Sequence, residues 1–130
     1  MNTPMQVQGQ EEQSKVYKVT GRKWIARSPT LTVMEFTLAP GEDVPLHHHS
    51  DCYDIFYCIE GRLTVELVDV ATGATLPALQ LALGDSAKVD VGTAHRPVNA
   101  GSQICRFVII QGFTHKDFIL FKPESSGPST

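Results

Sequence analysis

Between residues 30 and 111, Gly and Pro cut the chain every few residues into short apolar stretches that alternate with period two. No stretch holds a convincing helical period. That rhythm leaves an all-β sandwich or barrel as the fold class. Residues 30–39 (TLTVMEFTLA) are the clearest case. Thr32, Met34, Phe36 and Leu38 share one face and Glu35 and Thr37 the other, until Pro40-Gly41 breaks the strand. Residues 55–59 are apolar and aromatic, and Glu60-Gly61-Arg62 predicts a tight hairpin turn into residues 63–70. Residues 75–83 read as a strand or a short helix, with Pro77 favouring an edge strand. Shorter candidates at residues 16–26, 86–91, 95–99, 103–111 and 117–121 bring the total to about eight to ten strands. No internal repeat is visible.

The 130 residues fit one domain, expected over residues 16–122. Residues 1–15 are Gln/Glu-rich and residues 123–130 rich in Ser, Pro and Gly, the compositions of a disordered N-terminal tail and a flexible C-terminal one. With 11 Lys and Arg against 14 Asp and Glu, the net charge of −3 gives no basic footprint, so neither nucleic acid nor an anionic membrane is an expected partner. Cys52, Cys58 and Cys105 are odd in number, lie in apolar surroundings and form no CxxC pair, which reads as reduced core thiols of an intracellular protein. No apolar leader and no membrane-length apolar run is present, so the expected location is cytoplasmic.

The chemistry concentrates in residues 41–61, GEDVPLHHHSDCYDIFYCIEG. His47 and His49 are two apart, so an extended strand sends both side chains to one face and His48 to the other. A strand returning after Ser50-Asp51 brings the Asp54 carboxylate back beside them. Two imidazoles and a carboxylate on one face suit a divalent transition metal. His95 follows the Gly92 turn on a separate strand, where a closed barrel would fold it over the first cluster. Taken alone, the histidine triplet is also readable as a solvated turn or an adventitious metal binder. His48 reads as a surface residue or one supporting the ligands from behind, Tyr53 and Tyr57 as packing, Asp51 as a solvated loop carboxylate, and the lone His115 as structural or exposed, although a C-terminal segment can fold over a barrel mouth.

The spacing G-x5-H-x-H-x4-D-x6-G from Gly41 to Gly61 resembles the first motif of the cupin superfamily. Gly84, Asp90, Gly92, His95 and Asn99 match the second motif at both glycines, the histidine and the asparagine. The resemblance implies a single-domain jelly-roll β-barrel, the cupin-like double-stranded β-helix. It also implies that His47, His49, Asp54 and His95 bind one divalent metal at the barrel mouth (Fe, Mn, Ni or Zn), with positions left for water or substrate. Two residues depart from the pattern: Asp54 stands where the family usually has Glu, and Asp90 where it usually has Pro. Asp is one methylene shorter, so Asp54 must approach the metal more closely, coordinate through water, or not coordinate.

Parity places Phe56 and Cys58 on the inward face with Asp54. It leaves open whether Cys105, Phe107 and Ile109 or Arg106, Val108 and Ile110 look inward on the closing strand; an inward Arg106 would favour an anionic substrate. The candidate substrate pocket is therefore Met34, Phe36, Phe56 and Cys58, with Phe107 joining them if its parity is inward. The expected function is a metal-dependent cupin enzyme acting on a small organic substrate. Mostly apolar walls without an evident base other than Tyr or His lean it towards a dioxygenase. The alternatives are a metal-dependent isomerase or lyase, or a non-catalytic small-molecule-binding cupin. Exposed sheet edges favour a homodimer using residues 16–24, where Trp24 is a packing anchor or a dimer contact.

Overall fold

A computed structural model describes residues 6–7 and 16–122. The expected tails lie outside the described residues, except that β1 (Gln6–Val7) falls within the first and pairs with Arg27 and Ala26 of β2 (Gly21–Arg27). The chain continues through β3 (Leu31–Leu38), β4 (His47–His48), β5 (Cys52–Glu60), β6 (Leu63–Asp69), β7 (Thr75–Leu81), β8 (Ser86–Val89), β9 (Thr93–Val98), β10 (Cys105–Phe113) and β11 (Ile119–Leu120). There is no helix among the described residues. Every pairing is antiparallel, in two sheets ordered β1-β2-β3-β10-β5-β8 and β11-β4-β9-β6-β7, which pack face to face as a jelly-roll.

The core is built in layers across three neighbouring strands. β10 lies between β3 and β5, and its buried residues Phe107, Ile109 and Gln111 each face one partner on either side. Phe107 stands opposite Phe36 and Cys58, Ile109 opposite Met34 and Phe56, and Gln111 opposite Thr32 and Asp54. Each two-residue step therefore shifts the interior from fully apolar to polar. The Phe36 and Phe107 rings stack at 5.4 Å, and Leu63 and Val65 belong to the same buried cluster. Burying one such aromatic side chain contributes about 1.5–3 kcal/mol. The inward parity on β10 belongs to Cys105, Phe107 and Ile109. Arg106 turns outward and pairs with Glu35 at 2.6 Å, so the condition for an anion site at Arg106 is not met.

Residues 60–62 do not close a hairpin. β5 already has β10 and β8 on its two edges, whereas β6 pairs with β7 and β9. The turn instead carries the chain from one sheet to the other, so the apolar faces of β5 and β6 look towards each other across the interior. Gly61 serves this crossing in two ways: its φ is +73°, and a Cβ there would lie 2.3 Å from the Ile104 carbonyl oxygen. β7 lies at the edge of its sheet and carries Pro77 at the register shift between the pairs Leu67–Leu76 and Val65–Leu79. All three cysteines are free and buried; burial pushes Cys52 and Cys105 up to about 12 and Cys58 upward as well.

Candidate metal centre

β4 and β9 place His47 directly opposite His95 in one sheet, and His49 follows immediately after β4. Asp54 arrives from β5 in the opposite sheet, because the Ser50–Asp51 bend leads from one sheet to the other. The three histidines and Asp54 are all buried, and one donor atom from each lies within 4.8 Å of the others. His48 points away, its ring centre 5.9 Å from that of Phe121 in an edge-on arrangement. His115 is exposed outside the cluster.

Each imidazole of the cluster is held from behind by a main-chain carbonyl. His47 Nδ1 donates to Pro45 O at 2.7 Å, His49 Nδ1 to Asp117 O at 2.5 Å, and His95 Nδ1 to Thr93 O at 3.2 Å. A carbonyl only accepts, so Nδ1 carries a proton, and in the neutral ring that a metal requires the Nε2 lone pair faces inward. The Nε2 atoms of His49 and His95 are buried without a hydrogen-bond partner. They nevertheless lie 3.6 and 2.8 Å from Asp54 Oδ2. Lone pairs facing one another at that distance inside a protein repel unless a cation stands between them. This donor set, three neutral imidazoles and one carboxylate, suits a divalent transition metal.

In the metal-free cluster, charge shared between Asp54 and the histidines takes the place of the ion. Burial opposes ionisation of Asp54, yet His49 and His95 outweigh it and hold the carboxyl well below the ordinary carboxylate range. Burial, reinforced by His95, pushes His47 down to about 3, so it stays neutral near pH 7. For His49 burial acts downward too, but Asp54 and the Asp117 carbonyl raise it above an ordinary histidine.

Several contributors escape the motif. Gln111 Nε2 donates to Asp54 Oδ1 at 3.0 Å, which fixes the short carboxylate and leaves Oδ2 to face the histidines. Gln111 in turn accepts from Thr32 Oγ1, and Thr32 accepts from Lys116 Nζ at 3.5 Å. Extending inward parity on β10 by one step would have found Gln111. The segment around β11 crosses the mouth: Phe118 stacks on His47 at 4.2 Å, and the Asp117 carboxylate accepts from Ser50 N and Oγ.

A cavity of about 310 Å³ opens beside the cluster, with His47, His49 and Asp54 at its polar end. Met34, Phe36 and Phe56 are among the residues that line it. Cys58 and Phe107 are not. Both point inward, but they sit one step further from the mouth in the fully buried layer, where Cys58 packs beside the Gly61 turn. Tyr17, Arg22 and Lys116, which the motifs do not include, contribute polar atoms to the walls.

Residues 34–111 match the cupin domain family profile. No curated protein matches the chain significantly. Among solved structures, an uncharacterized conserved protein with a double-stranded β-helix domain from Klebsiella pneumoniae subsp. pneumoniae MGH 78578 is 19% identical, with 88% of this chain and 86% of that chain covered and a TM-score of 0.66. KdgF from Halomonas sp. is 22% identical over 71% of this chain and 76% of that one, with a TM-score of 0.60. An oxalate oxidase is 20% identical over 70% of this chain, with a TM-score of 0.62; the match spans 46% of the oxidase, about half its length. At these identities the likeness is one of fold. The profile match covers more than half of the 130 residues and runs from the β3 core face to Gln111 beside Asp54, and on that ground the chain belongs to the cupin family.

Proposed function

We propose that this cupin is a metal-dependent enzyme acting on a small organic substrate, with His47, His49, Asp54 and His95 as the metal ligands. The observation that carries the reading is the pair of buried, partnerless Nε2 atoms aimed at Asp54 Oδ2 beside a cavity of small-molecule size. A divalent metal there supplies Lewis acidity towards a substrate oxygen. The chain's own groups do the remainder: the carbonyls of Pro45, Thr93 and Asp117 fix the imidazole tautomers, Gln111 fixes the Asp54 carboxylate, and Phe118 shields His47 from water.

Dioxygenase chemistry suits the apolar wall of Met34, Phe36 and Phe56. A second reading, isomerase or lyase chemistry, is favoured by Lys116, which lines the cavity and whose ammonium burial pushes below an ordinary lysine. Protein reconstituted anaerobically with Fe(II) and assayed for oxygen uptake over phenolic and diketone substrates tests the first reading. The absence of uptake, with solvent deuterium entering the same substrates, selects the second. The absence of both with metal bound points to a binding cupin without catalysis.

A further inference from the structure

Arg22 is the feature of the cavity that the metal site does not use. β2 sets Arg22 opposite Phe36, and the guanidinium lies 5.8 Å from the Phe36 ring centre and 5.9 Å from that of Tyr17. It lines the same cavity as His47, His49 and Asp54. Its Nε is buried without a hydrogen-bond partner, and among the described residues no carboxylate lies within ion-pair distance of it. The two acids on the cavity wall are committed elsewhere: Asp54 to the histidines and Gln111, Asp117 to Ser50. A second cation, Lys116, shares the wall. Arg22 is half-buried and its guanidinium donates to the Tyr17 hydroxyl, but a buried Nε donor with no acceptor costs stability unless something arriving from solution supplies one. Much of the remaining wall, including Met34, Phe36, Phe56 and Ile109, is apolar.

We propose that Arg22 anchors a substrate carboxylate, so that the substrate class is a small organic carboxylate with an apolar body. The proposal rests on the cavity being the substrate pocket of the enzyme described above. The planar fork suits a carboxylate better than a point charge does, while the aromatic rings at its sides keep water from competing. Lys116 adds long-range attraction for the same charge.

The test is calorimetric titration of the zinc-loaded and the chelator-stripped protein with phenylpyruvate and with its methyl ester, in wild type, Arg22→Met and Arg22→Lys. Zinc itself attracts a carboxylate, so the stripped protein isolates Arg22. The expected result is a preference for the acid over the ester in both forms, reduced by about tenfold to a hundredfold in Arg22→Met, partly kept in Arg22→Lys, with ester affinity unchanged. Equal binding of acid and ester by wild type, or an acid preference that survives Arg22→Met, overturns the proposal. Circular dichroism and melting of each variant show that it folds. Zinc binding is measured in the same samples: its failure with the acid preference intact removes the metal and spares Arg22, and bound zinc without acid preference does the reverse.

Discussion

His95 Nε2 lies 2.8 Å from Asp54 Oδ2 outside hydrogen-bond geometry, while the Thr93 carbonyl accepts from His95 Nδ1. A ring nitrogen and a carboxylate oxygen are thereby pressed together by strands of opposite sheets, β9 and β5. Their proximity is explained by a shared cation, and the first consequence concerns the carboxylate. Asp54→Asn keeps the shape and the Gln111 side of the group while removing the charge. Divalent-metal affinity is expected to fall at least tenfold, measured by competition with a chromogenic chelator. Unchanged affinity would make Asp54 a bystander.

Gln111 holds Asp54 by its other oxygen. Gln111→Leu should weaken metal binding by roughly ten- to a hundredfold without abolishing it, since ligands deprived of an outer hydrogen bond lose orientation while keeping the donor atom. Gln111→Glu, which offers Asp54 a like charge at pH 7, should be worse than the leucine variant.

pH should act on the metal-free protein from two sides. The folded pKa of His49 is raised above 6.5, so the stability it contributes is fully present below about 6.5 and lost as pH rises through the raised value. His47 is depressed from 6.5 to about 3, so the unfolded chain binds a proton that the folded one refuses, and stability falls as pH drops from about 6.5 towards 3. The urea midpoint should therefore peak between about pH 6 and 7. Saturating metal should move the maximum upward, because the ion needs His49 deprotonated. A midpoint that rises steadily from pH 5 to 8 without metal would contradict the opposing shifts.

Below the site, Phe107→Ala should cost about 3–5 kcal/mol in urea unfolding, as it empties the layer between Phe36 and Cys58. Metal stoichiometry at low temperature should persist, since Phe107 does not line the cavity. Loss of metal in a variant that remains folded would mean that the core layer and the site are not separable.

What the chain made legible follows the range of the interactions. Alternation along β3 and β5 is local, and the buried faces Thr32–Leu38 and Cys52–Cys58 follow from parity alone. The metal-ligand spacing is legible for the same reason: His47 and His49 share a strand face, and Gly92 sets the start of β9 for His95. Pairing is not local. Glu60-Gly61-Arg62 has the composition of a hairpin turn whether the next strand returns to β5 or crosses to the other sheet, and only competition from β8 and β10 decides. The strap over the mouth is hidden likewise, since the carbonyl that orients His49 belongs to Asp117, 68 residues away. Arg22 carries a faint signal, as it shares parity with the buried Trp24.

The metal site stands or falls on the metal content of protein produced without a histidine tag, determined by mass spectrometry for wild type and His49→Ala. About one equivalent of a divalent transition metal per chain, lost in a variant that still melts cooperatively, is the expected result. Metal-free wild type that cannot be reconstituted, or a content unchanged by His49→Ala, would contradict the site.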